Sequence, residues 1–401
     1  MIKRNVDETE LEFKYRVCKD RELLELDTWN DVAEALNETL DTNFSESAYR
    51  KWYKNFEAGV QHGVESVSNQ EMFKEIEDKT IAFQKEKVKF QDQKRELGNL
   101  IRQQARFEHL KDEVSLAINE LAKVKPLKFE VTQPKIGGSK KGIALWSDWH
   151  VGSDFSNGFN TYNTEVFRNR LEHLINKTID HAKSNSVSDL IVANLGDAIS
   201  GAIHVSTRVQ SGEDVIRQIQ IVAEAMSESL AELSKHFNTV KFINIIGNHS
   251  RVISNKNESI FTENLEYLIP WFMNARLKDI GNIEIVKDTD GFSVEEIEGE
   301  SFVFCHGDLD SAQSSAKNIP QILGIVPKAI FSAHIHHNYE KEFGKTETIV
   351  NGSMMGVDDY AVSKRYHASP MQKFIVLNGN EIECTYKIKF QSVTDTSSVT
   401  K

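Results

Sequence analysis

The sequence predicts a mixed α/β (α+β) protein: a small all-α domain, then a long helix or coiled coil, then a two-layer β-sandwich flanked by helices. Three observations predict this order. Residues 1–65 and residues 66–125 place apolar side chains at helical spacing. Residues 142–390 alternate short β-rich apolar runs with helical stretches and then become mostly strands. A length of 401 residues accommodates two or three domains.

The composition limits the classes of function. The formal charge is −12, from 48 basic and 60 acidic residues, which argues against a protein that simply coats nucleic acid or an anionic membrane. This total excludes neither a local basic face nor a carboxylate-rich metal site. Three scattered cysteines argue against a disulfide framework, and no apolar run approaches the ~20 residues of a membrane span. We expect a cytoplasmic protein of a reducing compartment.

The first 65 residues predict two or three short helices. Residues 8–26 form a mixed apolar and charged run. Thr28 or Asn30 is placed to cap a second helix, and Ser45 or Ser47 is placed to cap a third. The segment carries 15 acidic and 9 basic residues, a net charge of −6.

The predicted third helix is basic and aromatic. Arg50, Lys51 and Lys54 suit phosphates or base edges, while Trp52 and Phe56 are suited to anchoring the helix. The pattern resembles the N-terminal helix-turn-helix segments of some phage DNA-processing proteins, over about thirty residues. A helical protein-interaction module is the alternative, and the local negative charge favours it.

Residues 66–125 predict one long amphipathic helix or a broken pair. The segment has no proline and a single glycine, Gly98. Ile76, Phe83, Phe90 and Leu97 recur every seven residues, which is typical of a coiled coil. The second core position of each seven-residue repeat is polar, which is unfavourable for a coiled coil. The segment therefore predicts either a homodimer or higher homo-oligomer through this helix, or a helix that packs on the protein's own domains. We expect a linker at 126–141 and a disordered tail at 391–401.

Five of the predicted strands in the 142–390 domain end in polar groups that bind metals. Because the carboxyl ends of strands in α/β sheets gather at one edge, we expect these groups to converge. Carboxylates, an amide and imidazoles together suit Mn²⁺, with Fe²⁺ or Zn²⁺ as alternatives. Seven ligands suit a pair of divalent ions, a known device for phosphoryl chemistry. The seven candidate ligands at the strand ends are Asp148, His150, Asp197, Asn248, His306, His334 and His336. The strand ends also carry His249, next to Asn248.

In this order the motifs resemble those of the calcineurin-like metallophosphoesterase superfamily, whose signature reads D-x-H, G-D, G-N-H-[DE], H and G-H-x-H. The resemblance covers about residues 142–390. It implies a two-sheet β-sandwich, one metal on Asp148, His150 and His336, and a second metal on Asn248, His306 and His334. It also implies that Asp197 bridges the two metals and that His249 acts beside the leaving group as general acid or transition-state stabiliser.

The sequence departs from the family pattern at two positions. Ser250 stands where the family usually has an acid that orients the catalytic histidine, which predicts a lower pKa or another partner for His249. Ala333 replaces a glycine, a change that affects only the turn.

Other residues are secondary candidates for the site. We consider His204, in a polar loop, for a catalytic or substrate role, and Arg251 for phosphate binding. We interpret His337 as lying outside the metal ligands. Lys364 and Arg365 are candidates for contact with a nucleic-acid backbone.

The site fixes a reaction class but not a substrate. The favoured function is a Mn²⁺-dependent DNA nuclease, exo- or endonucleolytic, similar to the double-strand-break repair branch of the superfamily and its phage relatives. One alternative is a phosphodiesterase or phosphatase on nucleotides or phosphoproteins, with the N-terminal helices recruiting a protein. The other is an inactive binding module on the same fold.

Overall fold

The computed structural model describes residues 2–65, 70–121, 123, 126–127, 135–288 and 290–391. The chain forms two compact units, Met1–Gln103 and Gln104–Lys401. Part of the predicted linker, 128–134, and residues 392–401 of the predicted tail lie outside the described residues. None of the described helices combines the length and the apolar character that crossing a bilayer requires.

The helices and strands follow the predicted order. The helices are α1 (Glu10–Lys19), α2 (Trp29–Leu40), α3 (Glu46–Glu65), α4 (Gln70–Leu121), α5 (Thr164–Asn185), α6 (Val205–Val209), α7 (Val215–Ser234), α8 (Leu268–Arg276), α9 (Ala312–Leu323) and α10 (Asp359–Lys364). The strands are β1 (Lys140–Trp146), β2 (Phe155–Ser156), β3 (Thr161–Tyr162), β4 (Val187–Asn194), β5 (Thr239–Asn244), β6 (Ile283–Lys287), β7 (Phe292–Ile297), β8 (Glu300–Cys305), β9 (Ala329–Ser332), β10 (Tyr339–Phe343), β11 (Thr346–Val350), β12 (Met371–Asn378) and β13 (Glu381–Lys389).

The N-terminal helices begin where their side chains satisfy the free backbone amides. Thr9 before α1 and Thr28 before α2 each form a capping box, with Glu12 and Asp31 as the returning carboxylates. The predicted cap at Thr28 is therefore confirmed. The three helices pack around a small core whose residues include Phe13, Val17, Val32, Leu36 and Tyr49.

Helix α4 is the long helix that the seven-residue repeat predicts, and it is unbroken over 52 residues. The repeated apolar side chains do not enter a core of the described chain. Ile76 is 47% exposed, Phe83 68%, Phe90 67% and Leu97 57%. A row of large apolar side chains therefore faces solvent along this helix.

The second unit is built on two sheets, which confirms the predicted sandwich. One sheet has six strands in the order β13-β12-β1-β4-β5-β6, and the other has five in the order β10-β11-β9-β8-β7. Strands β1, β4, β5 and β6 run parallel, with Ile143 opposite Ile191 in the register of β1 and β4. Strands β8, β9 and β11 also run parallel.

The central strands are apolar along both faces because both faces are covered. The inter-sheet core includes Leu145, Ile191, Ile243, Phe302 and Phe331, all buried. The outer face of the six-stranded sheet packs in a second buried cluster with α5, α7 and α8. The polar residues that follow the strands lie outside these buried faces, at the ends of the sheets.

Candidate metal centre

Candidate ligands follow β1, β4, β5, β8 and β9 within four residues of each strand end. Several occupy the left-handed backbone region, which is unusual outside glycine and marks sites where surrounding structure enforces strain. The residues with φ between 44° and 68° at these strand ends are Asp148, His150, Asp197, His334 and His336. The fold therefore holds these side chains in place against their local backbone preference.

The first cluster comprises Asp148, His150 and His336, whose ligand atoms all lie within 4.8 Å of one another. His150 Nε2 lies 3.0 Å from His336 Nε2. The Oδ1 atom of Asp148 is buried and has no hydrogen-bond partner among the described residues. Two facing imidazole nitrogens beside an unpaired buried carboxylate oxygen form a donor set that suits a cation.

The second cluster comprises Asp197, His306 and His334. His306 Nε2 lies 3.2 Å from Asp197 Oδ2 and 3.1 Å from the Oδ1 atom of Asn248. On its other side, His306 Nδ1 donates to the carbonyl oxygen of Leu195 at 2.7 Å. This hydrogen bond fixes a proton on Nδ1 and leaves Nε2 facing the cluster, as in histidines that bind metals.

Asp197 connects the clusters. It belongs to one group with His306 and His334 and to another with His150 and His249. Its side chain is 1% exposed. A carboxylate within reach of both ligand sets is the arrangement that a bridging ligand requires.

Burial and charge set the protonation of the site. Burial lowers the pKa of His150 well below its usual value and lowers that of His336 to about 3, so both are neutral ligands. Burial raises the pKa of Asp148. Burial alone would lower the pKa of His306, but the charge and hydrogen bond of Asp197 raise it to about 10.

His249 lies beside both clusters. Its backbone N–H donates to Asp197 Oδ1 at 2.8 Å, and its ring Nδ1 lies 2.9 Å from the carbonyl oxygen of Ser200. Its Nε2 is 4.0 Å from Asp197 Oδ2. The carbonyl oxygen of Ser200 is therefore the partner that orients this imidazole, in place of an acid at position 250. The side chain of Ser250 itself is fully buried.

Sequence reasoning missed Glu266, which holds two of the metal-site loops together. This fully buried carboxylate accepts hydrogen bonds from the backbone N–H groups of Ala198 at 2.7 Å and Gly247 at 2.6 Å. Burial raises the pKa of Glu266, and the charge of Asp197 adds to the effect. The residue lies in a short 3-10 turn, Leu265–Tyr267, and no motif in the sequence signals it.

The remaining predicted residues lie in different places. His204 is exposed, and its ring centroid is 5.6 Å from that of His249. The charge of Arg251 contributes to lowering the pKa of His204, after burial and His249, so these groups share one side of the site. His337 belongs to none of the candidate metal groups among the described residues.

The predicted DNA contacts are on the first unit. Arg50, Lys51 and Lys54 are exposed on α3, and Arg50 lies 3.7 Å from Glu46. Trp52 and Tyr53 pack partly buried against the small helical core. The basic side chains of this helix are thus free of the core.

Comparisons of sequence describe similarity at two levels. Residues 1–68 match the YonJ N-terminal domain family. Over 374 residues the chain is 28% identical to the SPbeta prophage-derived uncharacterized protein YonJ of Bacillus subtilis (strain 168), covering 90% of this chain and 91% of that protein.

Solved structures overlap with about three fifths of the chain. A novel archaeal phosphodiesterase is 15% identical with a TM-score of 0.33, covering 62% of this chain and 99% of that one. Zinc-bound Vps29 from Entamoeba histolytica is 12% identical with a TM-score of 0.30, covering 62% and 98%. A conserved phosphoesterase-like protein from Streptococcus pneumoniae TIGR4 is 10% identical with a TM-score of 0.27, covering 63% and 100%. All three TM-scores are below 0.5, so these overlaps assign no function to this chain.

Proposed function

We propose that this protein is a phosphodiesterase dependent on two divalent metal ions, and that it acts as a DNA nuclease. One observation carries the proposal: seven donors from five strand ends lie together as two adjoining clusters around Asp197. Asp148, His150 and His336 would hold one ion, with Asp197 shared. The set that would hold the other consists of Asn248, His306 and His334.

When bound, such a pair of ions polarises a phosphate and lowers the pKa of water, with Mn²⁺ our preferred metal. The chain's own residues supply the rest. The carbonyl oxygen of Ser200 accepts from Nδ1–H of His249, which turns the Nε2 atom toward the site. When the ring carries a second proton on Nε2, that proton can be donated to a departing oxygen. His204 and Arg251 border the same side, where Arg251 can pair with a non-bridging phosphate oxygen.

The assignment to DNA rests on the first unit. Helix α2 ends at Asp41 in the left-handed conformation, and α3 follows after a short turn. The exposed cations Arg50, Lys51 and Lys54 lie on this following helix, as on the recognition helix of a helix-turn-helix. The relative YonJ is prophage-derived, and for a phage-encoded nuclease we place the activity in the host cytoplasm.

We also propose that α4 pairs with the same helix of a second copy. Its exposed seven-residue repeat is the support, because large apolar side chains in a row gain most by burial against a partner helix. Replacing Phe83 and Phe90 by serine should convert a dimer into a monomer, measured by light scattering on the eluting protein. Identical masses for the wild type and the double variant would contradict the pairing.

The test of the proposed function uses the full chain with Mn²⁺ and three substrates: linear duplex DNA, single-stranded DNA and a chromogenic phosphodiester. We expect the wild type to hydrolyse DNA and the Asp197→Ala variant to have lost this activity. Cleavage of the small diester with no cleavage of either DNA would remove the nuclease assignment and favour a nucleotide or phosphoprotein substrate. No hydrolysis of any substrate with any divalent metal would remove the enzyme assignment.

A further inference from the structure

Four exposed rings form a patch on the second unit, next to two cations. Phe159 is 52% exposed, Tyr360 64% and Tyr366 57%. His367 is also exposed, as are Lys364 and Arg365. We call the four rings, Phe159, Tyr360, Tyr366 and His367, the aromatic platform. Large aromatic side chains that stay in water are a mark of a binding surface.

The platform adjoins the candidate metal centre. The ring of Tyr366 lies 6.3 Å from that of His337, and His337 directly follows the candidate ligand His336. Phe159 and His367 lie 6.2 Å apart. The two ring pairs meet in sequence at Tyr366 and His367, and the first pair begins at the residue next to a candidate metal ligand.

Hydrogen bonds hold the segments that carry the platform. Asp359, at the start of α10, accepts from Asn157 Nδ2 at 3.1 Å and from Gln210 Nε2 at 2.7 Å. The side chain of Asn160 donates to the carbonyl oxygen of Met355 at 2.8 Å. The segments that contain Asn157 and Gln210 are therefore tied to the start of α10, and the segment that contains Asn160 is tied to the chain just before it.

Two exposed cations, Lys364 and Arg365, stand beside the rings. Lys364 Nζ lies 5.8 Å from the ring centroid of Tyr360, a cation–π distance. Two carboxylates of the same segment are held in hydrogen bonds: Asp358 caps α10 by accepting from the amide of Ala361 at 2.8 Å, and Asp359 makes the two bonds described above. Exposed rings with neighbouring cations are what proteins use to stack bases and pair phosphates.

We propose that the aromatic platform binds unpaired bases of a single-stranded nucleic acid, so that the connecting phosphate reaches the metal centre. The inference rests on the proposed phosphodiesterase function and narrows its substrate to single strands or to frayed ends. Bases in a duplex are stacked on one another and offer no free face to these rings. Lys364 and Arg365 contact the backbone of the strand.

The experiment measures binding by fluorescence anisotropy with EDTA present, so nothing is hydrolysed. The probes are oligothymidylate and oligouridylate of about 15 nucleotides and a duplex of the same length. The variants are Tyr360→Ala/Tyr366→Ala, the ring-preserving Tyr360→Phe/Tyr366→Phe, and Trp271→Ala as an exposed aromatic control on α8, 46% exposed.

We expect the alanine pair to weaken single-strand binding by about tenfold or more, with the phenylalanine pair within about twofold of the wild type. Trp271→Ala should leave the affinity unchanged. Tighter binding of one polymer than the other assigns DNA or RNA, and either supports the platform. Unchanged affinity in the alanine pair, or an equal loss in the phenylalanine pair, overturns it. Hydrolysis of the chromogenic diester by the wild type with Mn²⁺, measured separately, shows whether the proposed function has failed instead.

Discussion

Replacing the buried carboxylate Glu266 tests how the two metal-site loops are held. In Glu266→Gln, the amide keeps one acceptor oxygen, but its NH₂ group faces the other backbone donor, either Ala198 or Gly247. One hydrogen bond to a charged acceptor is therefore lost, which costs roughly 1.5–3 kcal/mol. Relief of the repulsion between Glu266 and Asp197, which helps to raise the pKa of Glu266, offsets part of this cost.

The loss should affect activity as well as stability. The loops that Glu266 joins carry Asp197, Asn248 and His249, and small displacements of reacting groups cost about tenfold to a hundredfold in rate. We expect a free energy of unfolding lower by about 2 kcal/mol and hydrolysis of the chromogenic diester at least about tenfold slower.

The assays are denaturant unfolding, diester hydrolysis with Mn²⁺, and hydrogen exchange at the amides of Ala198 and Gly247. Glu263→Gln is the matched control, because Glu263 is an exposed glutamate in the same segment. Unfolding free energy within about 0.5 kcal/mol of the wild type, together with unchanged exchange at both amides, would refute the reasoning.

Three further predictions concern the candidate metal centre, the proposed DNA contacts of α3 and the sheet interior. Asp197→Asn should lower the Mn²⁺ stoichiometry measured by calorimetry and slow hydrolysis by at least about a hundredfold; two ions bound as in the wild type would argue against a shared ligand. Arg50→Gln/Lys51→Gln should weaken DNA binding and reduce the slope of log affinity against log salt by about two, while an unchanged slope would leave α3 without phosphate contacts. Burial lowers the pKa of Lys373 from 10.5 to about 8, even though its Nζ lies 2.8 Å from Glu340. Between pH 8 and 10.5 the unfolded chain then binds more protons than the folded chain, so the free energy of unfolding should rise across that window by up to about 3 kcal/mol. Lys373→Met should abolish this rise. Equal pH profiles for the wild type and the variant would contradict the lowered pKa.

The predicted secondary structure was most accurate where the apolar pattern was continuous. The continuous apolar runs at 190–195, 240–246 and 372–377 of the sequence predict strands, and they form β4, β5 and β12 because central strands are apolar on both faces. The apolar pattern does not mark β7 and β10, whose sequences FSVEEI and YEKEF are charged strands of the five-stranded sheet. It also missed α9, which contains Pro320 within its last turn. In these elements the tertiary contacts outweigh the local pattern.

The candidate ligands could be named from the sequence because each follows an apolar run and belongs to a motif. The left-handed backbone at Asp148 and His334 could not be named, since nothing in their residue types requires it. The hydrogen-bond partner of His249 could not be predicted from the sequence either. The partner is the backbone carbonyl oxygen of Ser200, and because every residue has such a carbonyl, no residue type identifies it.

The sequence by itself determined the sandwich class and singled out seven candidate metal ligands, because strand ends in an α/β sheet meet at a common edge. Only the tertiary structure decided which nitrogen of His306 faces the site and that Glu266 holds two loops together. It alone brought the ring of Tyr366 to 6.3 Å from that of His337, the residue after the candidate ligand His336. These features are hydrogen bonds and contacts between residues distant in sequence, and they arise only once the two sheets have packed and excluded water.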